Sequence, residues 1–227
     1  MDKISINVSF VDDPRLGIMV YHNALPEELR LVERLENTIG DSSTKPYMWM
    51  EALVGHSEKI PEYRNCYDCK MSSKLVDTAP PEFAELKNIW NDTVSRLVPC
   101  LNHYQQMHNI KMDYMEAINY VRYNEGEHFS YHADHGFSYV CTISSIMYLN
   151  DGYEGGELAF SKLGIQLEPQ YGDIVIFPST YIYTHASLPV RSGTKYSAVT
   201  MFDYNDNNHI KENNSMPSAE AYLAGGQ

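Results

Sequence analysis

Nine histidines are spread along this 227-residue chain, and one group of them stands apart. The run GEHFSYHADHG holds His128, His132, Asp134 and His135. Residues two apart on an extended strand point to the same face. His132 and Asp134 therefore project together, while Ala133 and His135 point the other way. An imidazole and a carboxylate so placed offer two adjacent sites on one metal ion. His128 shares their parity but lies roughly 13 Å further along at ~3.3 Å per residue, too far to join the same ion. A third ligand has to come from elsewhere, and His185, about fifty positions on in TYIYTHASLPVRSGTKYS, sits on a predicted strand. Two histidines and one carboxylate form a facial triad that leaves three positions of an octahedral metal open, an arrangement suited to Fe(II). An HxD tripeptide alone arises often by chance; a histidine about fifty positions later, with strands between, lifts it above that background. The remaining histidines (His22, His56, His103, His108 and His209) stand alone in polar or helical surroundings.

Lys195 follows His185 by ten positions, across the turn Arg191-Ser192-Gly193. Placed at the start of the next strand, its ammonium can face the metal pocket. A buried lysine among β-branched residues is unfavourable unless paired, and the carboxylate of a bound cosubstrate would supply the pair. The bland alternative is an exposed strand-end lysine. Arg191 offers the same charge but belongs to a turn, where solvation is expected. Cys66 and Cys69 form a CxxC in IPEYRNCYDCKMSS, with Cys100 and Cys141 isolated. Zinc would need a second pair or two suitably spaced histidines, and a thioredoxin-type pair normally opens a helix after a strand. The expectation is a polar loop carrying two unrelated thiols.

The elements that position these residues change character near residue 115. Leu25, Leu29, Val32, Leu35 and Ile39 recur at steps of three and four, with Pro26, Glu27 and Glu28 in the first turn and Gly40 after the last, which predicts an amphipathic helix. A second helix is expected from about Pro81, with Phe83, Leu86, Trp90, Leu97 and Leu101 on one face, kinked or ended by Pro99. Residues 41–80, rich in Ser, Pro, Lys and Tyr, read as a long mobile segment and a candidate lid. Beyond 115 come short β-branched and aromatic runs at about 117–123, 127–134, 141–149, 156–160, 164–168, 173–177, 184–190 and 195–203. Eight short strands with turns between them predict an all-β sandwich or barrel, mainly β with N-terminal helices packed on one face. A single domain over 1–227 is expected: a helical brace and substrate loop over 1–115, a β core over 116–204 and a polar tail over 205–227.

The charge narrows the partners. With 17 Lys+Arg against 30 Asp+Glu the net charge is −13, which disfavours binding to a phosphate backbone and tolerates a basic peptide. No apolar run approaches the roughly 20 residues of a membrane span. The opening MDKISINVSFVDDP lacks the basic and apolar regions of a signal peptide, so a cytoplasmic protein is expected.

The order YxxGxxxxxHAD (Tyr123 to Asp134), YLND, GGEL, GDIVIFPS and HxxxPVxxGxKY (His185 to Tyr196) resembles the Fe(II)/2-oxoglutarate oxygenases of the prolyl 4-hydroxylase type. The resemblance covers about residues 117–203. It implies a double-stranded β-helix, or jelly roll, braced by N-terminal helices. It also implies Fe(II) held by His132, Asp134 and His185, with Lys195 pairing with the distal carboxylate of 2-oxoglutarate and the Tyr123 hydroxyl assisting. The implied reaction uses O2, with ascorbate as an accessory reductant, and couples hydroxylation of a proline in a peptide or protein to conversion of 2-oxoglutarate into succinate and CO2. Tyr63, Arg64 and Tyr67 are the candidates to clasp an extended peptide; the plain alternative is a surface loop. Tyr123 is weighed equally against simple core packing. Two departures from the family pattern stand out. Cys141 and Ser144 occupy positions where the family often has Arg and Thr, and Met201 replaces a common Trp. Two alternatives stay open: the same chemistry on another side chain, free amino acid or small molecule, and a non-catalytic cupin-like binding module.

Overall fold

A computed structural model describes residues 7–54, 58–136 and 139–209. His56 and most of the expected polar tail, from 210 on, lie outside the described residues. The chain builds two facing antiparallel sheets. The nine-stranded one runs in the order β1 (Val8–Phe10), β2 (Met19–Tyr21), β13 (Ile174–Pro178), β9 (Ile143–Tyr148), β16 (Lys195–Asp203), β7 (Ile118–Tyr123), β5 (Tyr67–Met71) and β3 (Met50–Glu51), with β6 (Tyr114–Met115) on β16. The five-stranded sheet runs β12 (Ile165–Leu167), β11 (Leu158–Phe160), β14 (His185–Ser187), β8 (His128–His132) and β4 (Arg64–Asn65). β10 (Glu154–Gly155) and β15 (Val190–Ser192) form a separate two-stranded pair. This is a double-stranded β-helix, mainly β with helices, as the sequence led us to expect.

Burial explains the layering. Every residue of β9 (ISSIMY) is buried, which marks a central strand covered on both faces. Ile143 and Met147 point to the helices, where they join Leu35, Leu86 and Leu97; Ile146 and Tyr148 point inward and pack with Phe160 and Phe177. Helix α1 (Leu31–Ile39) buries Leu31, Leu35 and Ile39 at the four-residue repeat of one helical face. It starts later than the periodicity suggests. Glu27–Leu29 forms a separate 3-10 turn, and Arg30 at φ 46° breaks the run. After the short α2 (Ser73–Asp77), α3 (Glu85–His108) continues past Pro99, which does not end it. Leu101 and Tyr104, buried beyond the proline, keep the helix docked, and the Tyr104 hydroxyl donates to the Gly17 carbonyl at 2.8 Å. Arg34 of α1 ties the two long helices together through Glu85 at 2.7 Å and Asp92 at 2.8 Å. No helix among the described residues is long and apolar enough to cross a membrane.

Residues 41–80 depart most from expectation. Instead of a long loop, this stretch supplies β3, β4, β5 and α2, and β5 pairs residue for residue with β7 from Tyr67↔Arg122 to Met71↔Ile118. The CxxC is likewise no loop. Cys66 joins β4 to β5, and Cys69 lies on β5; both are buried free thiols. Three residues apart on extended backbone, they face opposite sides of the sheet. Cys69 belongs to the helix-side core and Cys66 to the inner one. Burial pushes their thiols up, to about 12 for Cys69 and about 11 for Cys66, so neither is a thiolate nucleophile or ready ligand at neutral pH. The eight strands read beyond residue 115 are all present. The stretch 184–190 divides into β14 and the start of β15.

Candidate metal and cosubstrate site

The space between the two sheets collects the chemistry. His132 ends β8 and His185 begins β14, and the two are direct cross-strand partners. Asp134 lies just past the end of β8, in a bend, so the same-face argument holds although the strand stops two residues sooner. One nitrogen from each histidine and one Asp134 oxygen lie within 4.8 Å of one another. His132 Nε2 is 3.4 Å from Asp134 Oδ1, and His185 Nε2 is 3.8 Å from Asp134 Oδ2. His128 and His135 stay outside, as expected. His128 Nε2 meets the Glu62 carbonyl, and His135 Nδ1 donates to the Cys141 carbonyl.

Backbone contacts set the state of each imidazole. His132 Nδ1 lies 2.8 Å from the Ser130 carbonyl and His185 Nδ1 lies 3.0 Å from the Tyr183 carbonyl. A carbonyl can only accept, so the proton sits on Nδ1 in both rings and each Nε2 lone pair faces the centre. Burial pushes His185 down to about 4, which keeps it neutral and able to donate its lone pair at pH 7. For Asp134, burial opposes ionisation, but the two histidines and the Ser144 hydroxyl outweigh it and hold the carboxyl well below the usual range. The Ser144 hydroxyl donates to Asp134 Oδ2 at 2.5 Å, and its oxygen lies 2.7 Å from the Ser179 hydroxyl. Ser144 thus takes up the hydrogen-bonding role for which the sequence retained a hydroxyl. Met201 pairs across the sheet with Ser144, on the inward side of β16. Phe129 stacks on His132 at 3.7 Å, and Phe160 and Phe177 flank His185, walling the centre with apolar rings.

Lys195 is the first residue of β16 and pairs directly with Tyr123, the last of β7. Only 2% exposed, its ammonium donates to the Gly156 carbonyl at 2.6 Å and to Ser187 Oγ at 2.8 Å. The rings of Tyr123 and Tyr148 stand 5.2 and 5.3 Å away. Among the described residues no carboxylate forms an ion pair with it. Burial pushes the ammonium down to about 7, with Glu157 opposing that fall. Gly156 has to be glycine: φ is +65°, and a Cβ would sit 2.9 Å from the Lys195 side chain. Tyr123 is buried too, and burial raises its hydroxyl well above the ordinary value, so it remains a donor. Arg191, as anticipated, points to solvent, and its guanidinium engages Glu157 at 2.8 Å.

The three residues expected to clasp a peptide are separated by the fold. Arg64 is 9% exposed and spent internally, on the Leu53 carbonyl and Asp68 at 2.9 Å each, with its guanidinium over Phe129. Tyr67 packs on the helix side of the large sheet beside Arg122, the face away from the metal ligands. Tyr63 alone stays near the centre, edge-on to Phe129, with its hydroxyl donating to the Tyr131 carbonyl at 3.3 Å. Sequence reasoning missed Ser187 and Ser179. Ser187 was recoverable, since it shares strand parity with His185; Ser179 is brought in by sheet pairing alone.

Two imidazoles and a carboxylate lie close enough to hold one metal ion, with a buried cation further in, on a jelly-roll core. Residues 118–203 match the family model of the 2OG-Fe(II) oxygenase superfamily. The protein is a 2-oxoglutarate-dependent dioxygenase, its likeness to that superfamily carried by this core segment. Solved structures share its fold. The viral collagen prolyl hydroxylase of Paramecium bursaria Chlorella virus-1, in complex with 2-oxoglutarate, matches with a TM-score of 0.57 at 19% identity over 82% of this chain and 95% of that one. A Trichoplax adhaerens prolyl hydroxylase bound to a hypoxia inducible factor peptide fragment gives 0.65 at 12% identity over 94% and 89%. A Pseudomonas putida prolyl 4-hydroxylase gives 0.60 at 18% over 84% and 94%. No curated protein is significantly similar in sequence.

Proposed function

We propose that this dioxygenase is a prolyl hydroxylase acting on a proline within a peptide or protein. In this proposal His132, Asp134 and His185 hold Fe(II), while Lys195 and Tyr123 hold the distal carboxylate of 2-oxoglutarate. The donor set fits the metal: two neutral imidazoles and one anionic carboxylate suit a divalent iron with open positions. The observation that carries the cosubstrate assignment is Lys195, a buried ammonium with two neutral acceptors and no carboxylate partner among the described residues. A dicarboxylate supplies the missing charge. Fe(II), when bound, supplies the oxygen activation that couples hydroxylation to conversion of 2-oxoglutarate into succinate and CO2. The chain's own part is positioning. The Ser130 and Tyr183 carbonyls orient the imidazoles, Ser144 orients Asp134, and Phe129, Phe160 and Phe177 keep bulk water from the centre. Of the peptide-clasping residues only Tyr63 is kept in the proposal.

Proline as the target draws support from the prolyl hydroxylases that share the fold, one of them crystallised with a peptide. A cytoplasmic location is part of the proposal and is supported by four free cysteines, the usage of a reducing compartment. Met201 and Cys141 favour a second reading, the same chemistry on another side chain, because they change the inner wall where this chain departs from the family. Turnover with proline-containing peptides, followed by mass spectrometry, separates the two. The proposal expects succinate release matched by peptide one oxygen heavier at proline. Oxygen found reproducibly on a different residue, with proline untouched, would favour the second reading.

A further inference from the structure

Ser187 follows His185 by two positions on β14, so both side chains project from the same face of the strand. Two residues of strand advance about 6.6 Å, comparable to the span from the chelating oxygens of a bound 2-oxo acid to its distal carboxylate. Ser187 is flanked by Leu158 on one side and Phe129 on the other. Its hydroxyl oxygen receives the Lys195 ammonium at 2.8 Å and lies within hydrogen-bonding reach of the Tyr123 hydroxyl.

A donor count shows what these groups still offer. An ammonium carries three donors, a hydroxyl one. Lys195 directs two of its three to Gly156 and Ser187. When Ser187 accepts from Lys195, its own proton is available to another acceptor. Tyr123 adds a third donor, because its hydroxyl stays protonated; its contact with Ser187 spends one of the two hydroxyl protons, which a bound carboxylate would take instead. Three donors from β7, β14 and β16 thus converge, and a carboxylate is the group with enough lone pairs to take all three.

The geometry points to Ser187 as a further cosubstrate-binding residue, one that turns its hydroxyl from the lysine to the distal carboxylate of 2-oxoglutarate and thereby favours a five-carbon dicarboxylate. This rests on the 2-oxoglutarate reading above. Without the carboxylate, Ser187 holds the ammonium in place; with it, the same hydroxyl becomes a donor.

The test is calorimetric titration of 2-oxoglutarate into the Mn(II)-loaded full chain, anaerobically, for wild type and for Ser187→Ala, Ser187→Cys and Ser187→Thr. Hydrogen bonds to charged groups predict about tenfold or greater weakening for Ala and Cys, and near-wild-type affinity for Thr. Mn(II) affinity should stay near wild type in all three, a readout that general damage to the fold would move, whereas the melting temperature of Ala and Cys falls because Lys195 loses an acceptor. Cys keeps the size of the side chain while losing the strong donor, so it carries the test should Ala fold poorly. If Ala or Cys binds within about twofold of wild type, the Ser187 assignment falls and the cosubstrate reading stands. If wild type itself binds no 2-oxoglutarate, both fall.

Discussion

Lys195 carries the most informative electrostatics in the molecule. Burial lowers its ammonium to about 7 from the ordinary 10.5. Between those values the unfolded chain binds a proton that the folded chain lacks, so stability rises with pH across that window and the penalty for burying the charge is full below it. Lys195→Met should therefore be more stable than wild type by a few kcal/mol below pH 7, with the gap narrowing toward pH 10; denaturant midpoints across pH measure it. A gap independent of pH would show that Lys195 is not the titrating group. The same shift makes 2-oxoglutarate affinity fall as pH rises above 7, because the carboxylate needs the protonated form. Ser144 makes a separate prediction. It donates to Asp134 from a fully buried position, and losing such an outer contact weakens metal sites about 10–100-fold. Ser144→Ala should show this in Co(II) absorption titrations, and Ser144→Thr should retain affinity. Equal Co(II) affinity in Ser144→Ala would remove Ser144 from the account.

At the scale of elements, the segment 41–80 shows what a sequence hides. The run YDCKM on β5 alternates poorly because Asp68 is buried, and Asp68 is tolerated because Arg64 reaches it at 2.9 Å, with Asn119 also donating to it. That ion pair forms between two sheets, and nothing in local patterning announces it. By contrast β9, β13 and β16 read clearly, since their β-branched and aromatic runs reflect burial that any register would require. The closeness of His132 and Asp134, the proposed ligands, was legible for a related reason: strand parity places them together before tertiary structure is considered. The start of α1 was misread because a single left-handed residue, Arg30, interrupts an otherwise continuous apolar period. Removing one partner of a buried ion pair costs about 3–5 kcal/mol. Arg64→Ala should lower urea stability by that order, whereas a peptide-clasping arginine would change substrate KM at unchanged stability. The turn before β11 supplies another check. Gly156→Ala brings a Cβ to 2.9 Å from Lys195 at a positive φ, so 2-oxoglutarate affinity should fall while Co(II) binding, set by other strands, is kept. Unchanged cosubstrate affinity would place the lysine elsewhere when loaded.

Over the whole molecule, the net charge of −13 surrounds a site whose working charges are few and local. Duplex nucleic acid is disfavoured by such a field, and a basic peptide is drawn to it. Peptides with Lys or Arg flanking the proline should show kcat/KM falling as salt rises, while neutral peptides change little. Identical salt dependence for both would mean that the acidic surface plays no part in encounter. The fold places His132 and His185 on the smaller sheet, Asp134 just beyond it and Lys195 on the larger one, so the pocket exists only when the sheets face each other. The central claim, that this pocket binds iron and 2-oxoglutarate together, is tested most directly by anaerobic titration of Fe(II) and 2-oxoglutarate into the protein, watching for the visible charge-transfer absorption of the chelate. The account predicts a band that saturates in wild type, is lost in Asp134→Ala and needs far more 2-oxoglutarate in Lys195→Ala. No band in wild type, or an identical titration in Lys195→Ala, would contradict it.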